Sequence, residues 1–128
     1  MQHDRLADCL SAIKNAESSG KDECVTPASS LIKDVLLTMQ SHKYIDQFEF
    51  VDNGRSGEFK IRLLRSINDC GAIKPRFSVG YREIEKFEKR FLPATGFGLL
   101  IMSTSTGVID HKAAKEKMVG GKLVAFIY

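Results

Sequence analysis

"GLLIMSTSTGVIDHKAAKEKMVGGKLVAFIY", residues 98–128, decides the fold of the second half of the chain. Its apolar run, Leu99–Met102, has the composition of a buried strand. That run stops at four consecutive hydroxyl residues, Ser103, Thr104, Ser105 and Thr106, followed by Gly107. These small polar side chains bury almost no apolar area, so a loop here does little for a core. Asp110 is placed to cap a short charged helix reaching about Lys117. Gly120 and Gly121 follow, and GGKLVAFIY reads as the final strand. Strand, hydroxyl loop, capped helix and strand define an α/β (α+β) arrangement.

Outward from this stretch, "AIKPRFSV" has strand composition but contains Pro75, which confines it to an edge or a bend. "YREIEKFEKRFLP" spaces Tyr81, Ile84, Phe87 and Phe91 by three and four among alternating charges. Helix and irregular strand both fit it. Near the N-terminus, Asp4 can cap a helix whose apolar positions, Leu6, Cys9, Leu10, Ile13 and Ala16, recur at helical spacing. A short extended piece at Cys24–Val25 precedes "TPASSLIKDVLLTMQ". There Thr26 reads as the N-cap and Pro27 as the first helical residue. "YIDQFEFV" and "EFKIRLL" alternate around the turn residues DNGRSG, the pattern of an antiparallel hairpin. Two lobes are expected: residues 1–66 as helix, strand, helix and hairpin, and residues 67–128 as a mostly antiparallel β lobe with a short helix.

The total charge of +3 hides a strong asymmetry. Residues 1–54 hold 5 Lys+Arg against 9 Asp+Glu, a balance of −4. Residues 55–90 hold 10 against 5, or +5, and residues 91–128 hold 4 against 2, or +2. Such a distribution suits a face that meets a polyanion. Lys14, Arg55, Lys60, Arg62, Lys74, Arg76 and Lys112 read mostly as solvated charge, with about a third of them expected to touch phosphate. No apolar run approaches the roughly 20 residues of a membrane span, and "MQHDRLADCL" lacks the pattern of a secretory signal. A cytoplasmic protein with no membrane partner is expected. Cys9, Cys24 and Cys70 form no CxxC pair, and His3, His42 and His111 lack ligand spacing, so neither metal nor cofactor is expected.

Enzymatic motifs fail one by one. Ser103 and Ser105 lack the GxSxG nucleophile elbow. His111 and Asp110 are adjacent at one helix start, where side chains point apart, so they make a poor triad. "GGK" lacks phosphate-loop spacing, and Leu123 stands where Ser or Thr would bind magnesium. A hydroxyl-rich loop leading to a helix N-terminus remains. Short hydroxyls can both donate and accept, which suits ribose hydroxyls and base edges of irregular RNA. Gly120 and Gly121 offer approach without a Cβ, and Lys122 adds charge beside them. The same residues fit a plain cap and turn equally well. They also fit a small α/β module whose serine loop holds an anionic ligand or a protein partner.

"STSTGVIDHKAAKEKMVGGKLVAFIY" resembles the C-terminal signature of the small-subunit ribosomal protein eight family. "TPASSLIKDVLLTMQSHKYIDQFEF" is similar to that family's PAS-containing second helix, and "DRLADCLSAIKNA" to its first. "GAIKPRF" and "EKFEKRFLPATGFGLLI" resemble the archaeal and eukaryotic branch. The resemblance covers essentially the whole chain. It implies a non-enzymatic constituent of the small ribosomal subunit that binds an irregular helix in the central domain of the rRNA and promotes assembly. It also implies neighbouring ribosomal proteins as partners. In some bacterial members the protein's own messenger RNA is a further ligand. Contacts carried over are Ser103, Thr104, Ser105 and Gly107, with Thr106 at a variable position, then Gly120, Gly121 and Lys122. Lys122 stands where bacterial members have Glu. Tyr81 falls near a family tyrosine that approaches RNA. Secondary contacts carry over to Arg5, Lys14, Pro27 and Ser29.

Overall fold

The computed structural model describes residues 5–55, 57–74, 76–94 and 96–128. The expected cap Asp4, the strand-breaking Pro75 and Ser56 of the DNGRSG turn lie outside them. The chain divides after Asn68 into two compact units. The first contains α1 (Arg5–Ser18), β1 (Glu23–Pro27), α2 (Ser30–Ser41), β2 (Ile45–Val51) and β3 (Glu58–Leu63). Its sheet is antiparallel with β3 central, in the order β1-β3-β2. Leu6, Cys9, Leu10, Ile13 and Ala16 of α1 and Ile32, Val35, Leu36 and Met39 of α2 are buried, as helical periodicity requires. Each fully buried aliphatic is worth about 1.5–3 kcal/mol, far more than propensity, so these stripes orient the helices.

One boundary differs from the sequence reading. Thr26 and Pro27 do not open α2; they close β1, opposite Phe59 and Glu58 of β3. Cys24 and Thr26 point inward and Val25 outward, the alternation of a strand. Pro27 is tolerated because β1 is an edge strand. The N-cap is Ser29, in extended backbone, whose hydroxyl accepts from the Ile32 amide at 3.2 Å.

The second unit runs β4 (Cys70–Ala72), β5 (Ser78–Val79), a 3₁₀ turn (Tyr81–Glu83), α3 (Ile84–Phe91), β6 (Leu99–Thr104), β7 (Gly107–Asp110), α4 (His111–Lys117) and β8 (Gly121–Ile127). The segment that fitted either helix or strand is therefore helical, and the lobe holds two helices rather than one. β8 is the hub of the sheet, pairing antiparallel with β4, β5 and β6. Ile73, Val79, Ile84, Leu92, Leu100, Met102, Ala114 and Leu123 form a buried cluster, with Phe77, Phe87, Phe91 and Phe126 packed on it. The three cysteines are buried and in no disulfide. Burial pushes the Cys9 thiol up to about 12, so it stays protonated.

The hydroxyl stretch is not the single loop expected. Ser103 and Thr104 are the end of β6, Ser105 and Thr106 form the turn, and Gly107 begins β7. β7 separates the turn from α4, so the hydroxyls do not feed a helix N-terminus. That terminus is closed by Asp110, whose Oδ2 accepts from the Lys112 and Ala113 amides at 3.1 and 3.3 Å.

Candidate nucleic-acid interface

Neither Ser105 nor Thr106 has a positive φ, whereas Gly107 sits at φ 115°. The hairpin therefore reverses through an ordinary turn closed by a glycine that supplies the twist. Thr104 braces it from within. Its Oγ1 donates to the Gly107 carbonyl at 2.8 Å and accepts from the Thr106 amide at 3.2 Å. With its one proton committed to that carbonyl, it also accepts from the Thr106 hydroxyl at 2.9 Å. The Ser103 and Ser105 side chains, both exposed, have no hydrogen-bond partner among the described residues. Two threonines hold the turn, and two serines keep their donors and acceptors uncommitted.

Sheet register builds a surface around those serines. Lys122 lies opposite Ser103 on one side and opposite Ser78 on the other. Directly opposed residues share a face of the sheet, so Ser78, Lys122 and Ser103 make one row across β5, β8 and β6. The row depends on a register shift between Ile101 and Met102 that leaves Val124 of β8 without an opposite residue on β6. Without it, Leu123 would face Ser103.

The row lies in an open groove of about 550 Å³ whose walls are Ser78–Gly80 with Glu83 and Ser103–Ser105, over Gly120–Lys122. A Cβ on Gly121 would stand 2.3 Å from the Ser103 carbonyl oxygen, and one on Gly120 2.6 Å from that of Val79. The double glycine is thus required by the sheet itself, where the β6 and β5 backbones come close to it. Lys122 and Glu83 are exposed, and neither has an ion-pair partner among the described residues.

Of the residues singled out from sequence, the groove gathers Ser103, Thr104, Ser105, Gly120, Gly121 and Lys122. Thr106 and Gly107 sit at the turn tip outside its lining. Tyr81 follows Gly80 but packs on the core, its hydroxyl accepting from Arg82 Nε at 3.1 Å. Arg5, Lys14, Pro27 and Ser29 belong to the first unit. Arg5 and Lys14 are nine residues apart on α1, about half a turn out of phase, and so lie on opposite sides of it. The Ser29 hydroxyl is engaged as the α2 cap. Lys60 and Arg62, candidates for phosphate, both approach Glu23, at 3.5 and 3.9 Å. Sequence reasoning missed Ser78, Gly80 and Glu83. Only the outward parity of Ser78 between Phe77 and Val79 pointed to the first.

His111 is buried, and its Nδ1 accepts from the Leu100 amide at 3.0 Å. Its Nε2 faces Glu88 at 3.6 Å, and Lys115 pairs with the same carboxylate. The neighbouring Asp110 carboxylate accepts from the Lys112 and Ala113 amides at the start of α4. Burial lowers the imidazole from its ordinary value. With Nδ1 accepting, the proton of the neutral ring resides on Nε2.

Two comparisons with known proteins agree. The model of the family described as Ribosomal protein S8 matches residues 4–128. Small ribosomal subunit protein uS8 of Methanococcoides burtonii is 54% identical over 126 residues, 98% of this chain and 97% of that protein. A chain matched over nearly its whole length by both belongs to the ribosomal protein S8 family.

Proposed function

We propose that this chain is a non-enzymatic structural constituent of the small ribosomal subunit that binds small-subunit rRNA through the groove of its second unit. The observation that carries the reading is the row Ser78–Lys122–Ser103 with Ser105 beside it. It offers several uncommitted donors and acceptors and one unpaired cation in a single open cleft. Hydroxyls that both donate and accept match the 2′-hydroxyls and base edges of an unpaired or irregular RNA segment. Lys122 supplies a phosphate contact that positions without specifying. The ligand is an irregular helix in the central domain of that rRNA, and binding early in assembly orders it for neighbouring ribosomal proteins. A message that mimics the rRNA stem would occupy the same groove. The protein works in the cytoplasm, on the ribosome.

An anionic metabolite is a poorer occupant, because a small phosphate would be held by Lys122 alone with Glu83 in the same open groove, whereas an RNA segment also makes uncharged contacts to the serines. Filter binding to a central-domain rRNA fragment, with tRNA as competitor, tests the reading. Retention that tRNA does not displace is expected. Equal displacement by tRNA and rRNA, or stabilisation against heat by inorganic phosphate and not by RNA, would refute it.

A further inference from the structure

The exposed side of α3 has no role in the groove, yet it carries the densest unpaired positive charge in the second unit. Arg82, Lys86, Lys89 and Arg90 are all exposed, and no carboxylate forms an ion pair with any of them among the described residues. At 3.6 residues per turn Lys86, Lys89 and Arg90 fall within about a third of the circumference of α3, and Arg82 stands in the 3₁₀ turn that leads into it. Ile84, Phe87, Glu88 and Phe91 occupy the opposite side, which packs inward. Glu83 and Glu85 flank the basic stripe without interrupting it.

Two of the four cations are already ordered. The Arg90 guanidinium lies 5.2 Å from the Phe77 ring centroid and 5.4 Å from that of Phe91. Arg82 lies 5.6 Å from the Tyr81 ring centroid and donates from Nε to the Tyr81 hydroxyl. A guanidinium stacked on an aromatic face keeps N–H edges directed to solvent, where they match phosphate oxygens. Helical rise separates Arg82 from Arg90 by about 12 Å, enough to follow a strand rather than to hold one small anion. Gly80 and Glu83 line the groove, and the chain passes from them directly into α3.

We infer that the outer face of residues 82–90 is a second RNA-binding surface, gripping the sugar–phosphate backbone of the stem whose irregular part enters the groove. This rests on the rRNA reading of the groove and divides the labour: the groove reads shape and base edges, and the stripe supplies salt-dependent affinity.

The test measures the salt dependence of rRNA-fragment binding by the full chain, with tRNA as competitor. The variants are Lys86→Gln with Lys89→Gln, Arg90→Lys, and Ser105→Ala as reference. The double variant should flatten the slope of log K against log salt by about two units, and Ser105→Ala should leave it unchanged. Arg90→Lys should keep the slope yet bind several-fold more weakly, because the planar fork is lost. A wild-type slope in the double variant, beside intact preference for rRNA over tRNA, would overturn the inference alone. So would a double variant that binds RNA normally but fails to join a reconstituted subunit, since that face would then meet an acidic protein. Loss of rRNA preference in the wild type itself would overturn the groove reading, and this inference with it.

Discussion

Thr104 and Ser105 carry the same functional group one residue apart and use it in opposite directions. The Thr104 hydroxyl is spent on the turn, holding the Thr106 amide and the Gly107 carbonyl. That of Ser105 is exposed in the groove. Ser105→Ala should therefore weaken binding of an rRNA fragment by about 1 kcal/mol or more and leave the urea midpoint of unfolding unchanged. Thr104→Val should cost about 0.5–1 kcal/mol of stability, measured by the same urea titration, and reduce binding only through a looser turn. Equal stability losses in the two variants would contradict this division. Composition could not separate them: four hydroxyls in a row look alike until strand parity and the positive φ of Gly107 assign each a direction.

Among the elements, legibility followed the range of the deciding interaction. α4 was readable because its start is settled locally: Asp110 caps two amides within three residues of itself. α2 was misplaced because Thr26 and Ser29 are equivalent cap signals three residues apart. The choice was made by the pairing of β1 with β3, more than thirty residues downstream. β7 was absent from the sequence reading because four residues become a strand only through their partner, β6. The end of α4 shows a local conflict that sequence does display. Met118 is 70% exposed and holds φ 56°, a left-handed position natural to glycine. Met118→Gly should raise stability by about 0.5–1 kcal/mol, read as a higher thermal midpoint without loss of RNA binding. The contact of α3 and α4 over His111 carries a pH dependence. Glu88 from α3, Asp110 from the end of β7, and Lys112 and Lys115 from α4 surround the ring, and burial dominates. A folded-state value below the unfolded one means that the unfolded chain binds the proton first. Stability from this group is complete above about pH 6.5 and is lost as pH falls below it. Urea titrations at pH 7.5 and 5.5 should show the loss, and His111→Gln should shrink the difference.

For the molecule as a whole, the separation of charge matters more than its sum. The first 54 residues are acidic by four charges while the remainder is basic by seven, so attraction to RNA is concentrated in the later sequence. If Lys122 and the four cations of residues 82–90 meet phosphates, log K should fall against log salt with a slope of about −4. Binding of the rRNA fragment should then drop about 250-fold between 50 and 200 mM salt, a measurement that a slope near zero would contradict.

The hub position of β8 has a consequence for biosynthesis. β4, β5 and β6 all precede it in the chain and all pair with it. A nascent polypeptide that has emerged only through α4 carries both strands of the hairpin β6–β7, yet it lacks the strand that joins this hairpin to β5. Both walls of the cleft then hang unconnected. If RNA binds in this cleft, its capture there waits until residues 121–127 have inserted and brought the two walls together.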